Sequence, residues 1–102
     1  GARLVPMRPA PGAPGRGTLV IAPDAQAYLV LDLPEPPRGK AYEAWIIRGG
    51  EPARAGLAPA RAGIVTVRLE QPLRPGDITA VTLEIAAGVD RPTEDPILVG
   101  PS

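Results

Sequence analysis

The sequence predicts an all-β protein, an antiparallel β-sandwich of about seven short strands that is Ig-like in general architecture. Three observations carry that expectation. Short runs rich in Val, Ile, Leu and Thr recur along the chain, and within them inward and outward positions alternate with a period of two. Fifteen prolines and twelve glycines punctuate those runs and supply the turns between them. No stretch of useful length carries a helical period. A closed barrel of the same strands is the alternative architecture. With 102 residues the chain is expected to be one domain, residues 1–102, large enough to bury a core without staples.

Residues 3–7, RLVPM, are apolar but contain Pro6, which removes one ladder donor, so they predict an edge strand or an extended arm. Residues 9–17, PAPGAPGRG, predict a mobile loop. The sandwich body is expected over 18–100. Residues 18–21, TLVI, run into Pro23-Asp24, a turn signal. Residues 26–33 resume with Ala27, Leu29, Leu31 and Leu33 on one face, so 18–33 predicts a hairpin. The proline-dense connector 34–39 excludes helix and central strand.

Residues 41–48 follow, with Glu43, Trp45 and Ile47 alternating with Tyr42, Ala44 and Ile46. Both faces are largely apolar, which predicts a central strand. Residues 49–52, GGEP, predict a turn, and residues 53–62 read as a small, basic, Gly/Pro-punctuated connection. Residues 64–70 place Val65, Val67 and Leu69 inward, as in a half-exposed strand. After a turn over 72–77, residues 78–86 put Thr79, Val81, Leu83 and Ile85 on one face and Ala80, Thr82, Glu84 and Ala86 on the other. An acidic loop over 87–96 and a short strand over 97–99 complete the chain.

Phenylalanine is absent, and Trp45, Tyr28 and Tyr42 are the aromatic residues. Burying an indole removes roughly 150–250 Å² from water, so Trp45 is expected at the core centre and Trp45→Ala is expected to be the most damaging substitution. An exposed Trp for sugar stacking or an interface is the competing reading. Eleven basic and eleven acidic residues cancel, so no net field favours nucleic acid. Without cysteine there is neither a disulfide framework nor a thiolate site, and the redox compartment stays open. Ten arginines against one lysine, no Asn and many prolines fit a heat-adapted source or a GC-biased genome alike. A melting temperature below roughly 60 °C would remove the first. No apolar run approaches the roughly 20 residues of a transmembrane helix, and the chain as it stands is expected to be soluble.

The chemistry the sequence lacks narrows its function. It has no histidine and no cysteine, and its single serine is Ser102, which removes the usual nucleophiles, acid/base pairs and zinc or copper ligands. Glu84, Asp90, Glu94 and Asp95 are the carboxylates left for a glycosidase pair or a calcium site, against the plainer reading of a solvated acidic loop. No cofactor is expected.

Four pieces then occur in a recognisable order: KAYEAWII from Lys40, EPARAGL from Glu51, AVTLE from Ala80, and RPTEDPILVG from Arg91. On these the chain resembles the extracytoplasmic C-terminal domain of the anti-sigma-K factor (RskA-like) family. The preceding LPEPPRGK also fits the family's entry into its Tyr-x-x-Trp strand, whereas Ile85-Ala86-Ala87-Gly88 departs from the family's usual Pro-Ala-Gly-Gly. The resemblance implies a longer parent with a cytoplasmic sigma-binding domain, one upstream membrane helix, and this domain on the extracytoplasmic side.

It further implies a non-enzymatic part that gates or senses regulated proteolysis by a site-1-type protease, with an unknown ligand or protein outside and the sigma factor bound by the other domain. Tyr42, Trp45, Gly56, Glu84, Pro92 and Thr93 are the family-type residues. Each also has a structural reading, as core aromatic, turn glycine, partnered charge or loop stiffener. A generic exported β-sandwich binding or adhesion module is the alternative function.

Overall fold

Alternating side chains and proline- or glycine-rich breaks produce nine strands within residues 1–101, the residues described by the computed structural model. Ser102 lies outside the described residues. The strands are β1 (Arg3–Pro6), β2 (Arg8–Pro9), β3 (Arg16–Ile21), β4 (Ala27–Asp32), β5 (Lys40–Arg48), β6 (Glu51–Leu57), β7 (Ile64–Arg68), β8 (Ile78–Ile85) and β9 (Leu98–Pro101). They form two sheets, a front sheet in the order β1-β3-β4-β7 and a back sheet in the order β2-β9-β8-β5-β6. Every pairing is antiparallel. The sandwich expectation holds, and two separate sheets replace the barrel alternative.

Two strands go beyond the seven read from the sequence. β2 arises because the first segment changes sheets: β1 pairs with β3, Met7 is buried between the layers and donates its amide to Gly17, and Arg8–Pro9 then pair with β9. Pro6 and Pro9 both sit on edge strands, where a missing donor faces no neighbour. β6 falls in a stretch that looks like a loop because it carries Pro52 and Gly56. It is the other edge of the back sheet, joined to β5 by a tight turn at Gly49 and Gly50, both with positive φ. Two successive positive φ values match the twist of a two-residue hairpin, which only glycine adopts freely.

The layer between the sheets contains Leu19, Leu29, Leu31, Val65 and Val67 from the front and Tyr42, Ala44, Ile46, Val81 and Leu98 from the back. Trp45 belongs to neither set. It is fully buried, yet it alternates with Tyr42, Ala44 and Ile46 and so points away from the inter-sheet core. The buried reading of Trp45 therefore holds against the exposed one, while its expected place at the core centre is corrected. β5 has neighbours on both sides, as its two apolar faces predicted, and the long connection over 86–97 crosses its outer side, where Val89 and Thr93 bond Glu43 of β5 and Glu84 of β8.

Candidate functional site

β5 and β8 pair in a register that sets Ala41 opposite Glu84, Glu43 opposite Thr82 and Trp45 opposite Ala80. All six face outward from the sandwich, and all six are nevertheless buried. An outward row of this kind needs a cover, and residues 86–97 provide it. The segment leaves β8 at Ile85, crosses the back sheet, and returns to pair with Val81 through the amide of Ile97.

Polar side chains of the row fasten the cover. The Trp45 indole N–H donates to Thr82 Oγ1 at 2.8 Å, and the Thr82 hydroxyl donates to Glu84 Oε2 at 2.7 Å. Glu84 also accepts the Thr93 amide at 3.1 Å and the Thr93 hydroxyl. Glu43 Oε1 accepts the Val89 amide at 2.9 Å, while its Oε2 lies 3.3 Å from Arg54 Nε. A strand-bound carboxylate that receives backbone N–H groups acts as a side-chain cap for a segment with no ladder of its own.

The electrostatics of Glu84 follow from these donors. Burial alone would push its carboxyl up, but the donors from Thr93, Thr82 and the Glu94 amide outweigh that and hold it below the ordinary value. Among the described residues, no buried side-chain nitrogen or oxygen lacks a partner. The row is thus a satisfied polar network in a place where an unpaired group would be costly.

The structure brings together Trp45, Glu84 and Thr93 in one hydrogen-bonded chain, with Pro92 beside Thr93 in the cover. Tyr42 lies on the opposite face of β5 and donates its hydroxyl to the Pro34 carbonyl at 2.8 Å, pinning the proline connector. Gly56 is elsewhere, at a bulge in the pairing of β6 with β5, where it lies against Val67 of β7. The four carboxylates considered for catalysis or calcium do not converge: Glu84 is buried, Asp90 is at the surface beside Arg54, and Glu94 and Asp95 are exposed. Among the described residues no group of three acidic side chains is placed to hold a metal ion.

Glu43, Thr82 and Arg54 were not singled out in the sequence. The available signal was Glu43 itself, a charge in the middle of an apolar nine-residue strand, which must find a partner if the strand is covered on both faces. Asp77 was missed too. It is buried in the β7–β8 turn, where it receives two hydrogen bonds from Arg48, at 2.9 and 2.6 Å, and one from the Arg74 amide. Arg48 holds its carboxyl below the ordinary range.

Among the described residues no helix is long and apolar enough to cross a membrane. A protein of Streptomyces griseus, described as an uncharacterized protein in the phr 5′ region, is 31% identical over 83 residues. The match covers 79% of this chain and 35% of that relative, so the chain spans about a third of the relative's length. No solved structure matches. The family described as anti-sigma-K factor rskA, C-terminal, matches residues 2–97, nearly the whole of the two sheets and the cover between β8 and β9. On that match the chain belongs to the anti-sigma-K factor C-terminal family.

Proposed function

We propose that this chain is a single, non-enzymatic regulatory domain of a membrane-anchored anti-sigma factor, standing on the extracytoplasmic side and tethered by one upstream transmembrane helix. Its role there is to gate the regulated proteolysis that releases a sigma factor held by a separate cytoplasmic domain. The observation that carries the reading is the family match over residues 2–97. The site agrees with it in kind. Its carboxylates are occupied by donors that fix a chain segment, which supports a role in order rather than in reactivity. The six signature residues are, in this reading, determinants of that fold.

Gating needs a stable body whose presence or local opening alters protease access. The test uses the full-length parent protein with a sigma-dependent transcription reporter and a topology reporter fused at the C-terminus. The domain is expected outside the membrane, and deleting residues 1–102 is expected to make cleavage and reporter output independent of the inducing stress. A cytoplasmic C-terminus would refute the location, and unchanged stress-dependent cleavage would refute the gate.

One observation favours the alternative of an exported binding module. The outer face of the front sheet carries Leu4, 69% exposed, and Ile64, 65% exposed, at its two edges. Partner capture that requires Leu4 and Ile64, together with normal stress-dependent cleavage after deletion of the domain, would support that module over the gate.

A further inference from the structure

The cover over the back sheet is attached differently from every strand around it. At its ends it has backbone bonds, from the Ala86 amide to Gly39, the Gly88 amide to Ile85 and the Ile97 amide to Val81, and Ile97 also accepts the Ala10 amide and packs against the inter-sheet core. Among the described residues, no backbone–backbone bond reaches residues 89–96. Pro92 and Pro96 have no N–H to offer. The amides of Val89 and Thr93 go instead to the side chains of Glu43 and Glu84.

Two ion pairs add to this, Arg54 with Asp90 at 3.2 Å and Arg91 with Glu51 at 3.8 Å. The Asp90 and Arg91–Glu51 side chains are largely exposed, so screening leaves these pairs little weight. The middle of the cover therefore hangs on two buried carboxylates. The sandwich beneath it has its own apolar layer, to which the fully buried Trp45 does not belong.

We propose that residues 89–96 are a strap that opens as a local unit while both sheets and the backbone-bonded ends of the cover remain folded, with Glu84 as its latch and the Trp45 face of β5 and β8 as the surface it uncovers. Opening breaks the Val89 and Thr93 attachments and turns a buried, satisfied row into an exposed indole flanked by two carboxylates. Closing restores the row without any change in strand pairing. The opening is a property of the fold and stands apart from the anti-sigma reading; only its use as the element that a signal acts on rests on that reading.

Hydrogen exchange with mass spectrometry on the 102-residue chain tests the strap, and the single tryptophan gives an independent readout. The strap amides are expected to exchange at least about tenfold faster than the hydrogen-bonded amides of β5, after correction for intrinsic rates. Glu84→Gln, which replaces an acceptor oxygen by a donor, is expected to raise strap exchange by a further factor of about ten. It should also increase acrylamide quenching of Trp45 and leave the exchange of β4 nearly unchanged.

Thr93→Val removes the strap-side hydroxyl without touching the sheet, and it is expected to act in the same direction if Glu84→Gln fails to fold. Strap amides that exchange in step with β5 and β4, in the wild type and in the variants, would overturn the proposal. A strap that opens as described, but whose variants leave stress-dependent cleavage of the parent unaltered, would retain the opening and remove its regulatory use.

Discussion

Gly56 shows how much a single position can decide. It sits in β6 at φ 152°, where the pairing with β5 slips between Ala44 and Trp45. That slip leaves Ala55 as the extra residue of a bulge, and its carbonyl accepts the Glu70 amide at 3.0 Å, linking the back sheet to the end of β7. A Cβ at position 56 would lie 2.9 Å from Val67 Cγ1. Gly56→Ala combines a backbone conformation that L-residues resist with a clash in the core, and is expected to destabilise by about 2–4 kcal/mol. Urea titration checks this. A loss below about 0.5 kcal/mol would mean that the bulge relaxes without cost. The glycine was visible in the sequence, but as a sign of a loop, because a bulged edge strand and a loop share the same small, flexible residues.

At the scale of the element, β5 was legible and its cover was not. Apolar residues on both faces of 41–48 correctly announce a strand covered on both sides, but alternation does not say which side holds the sandwich core. The scarcity of aromatics and the size of the indole announce that Trp45 is buried, as it is, but not on which face. The polar residues of the facing row, Glu43, Thr82 and Glu84, mark that side as the one closed by a hydrogen-bonded segment. That side is set by the β5–β8 register, and two of its bonds, Trp45 to Thr82 and Val89 to Glu43, join residues 37 and 46 positions apart in sequence.

Tyr42 on the inner face belongs to the same element and has a local task. Its hydroxyl holds the Pro34 carbonyl, and the ring fills the core below. Tyr42→Phe keeps the ring and removes one hydrogen bond, so it is expected to cost about 1 kcal/mol. Chemical denaturation measures the loss. A cost above about 3 kcal/mol would show that the proline connector depends on that bond for its position.

For the whole molecule, the absence of histidine and cysteine becomes a prediction about pH. The side chains that ordinarily titrate near neutrality are missing, so stability should be flat across the neutral range and bend only at its ends. On the acid side Asp77 and Glu84 both lie below their ordinary values of 3.8 and 4.5. A carboxyl lowered in the folded state binds fewer protons than in the unfolded chain. Its contribution is therefore complete above the ordinary value and is lost as pH falls from there through the folded value. On the alkaline side burial raises Tyr42 above 10.0, so its contribution is complete below that value and declines as pH rises past it.

Urea midpoints measured at fixed ionic strength should consequently stay level between about pH 5.5 and 9, and fall on either side of that window. Asp77→Asn and Glu84→Gln should each lower the plateau and flatten the acid limb, because each removes a group whose protonation drives the fall. The two carboxyls belong to separate contacts, Asp77 to Arg48 at the turn after β7 and Glu84 to the strap, so their effects should add. A wild-type acid limb that survives unchanged in the double variant would assign acid sensitivity to other carboxylates and leave these two as neutral anchors.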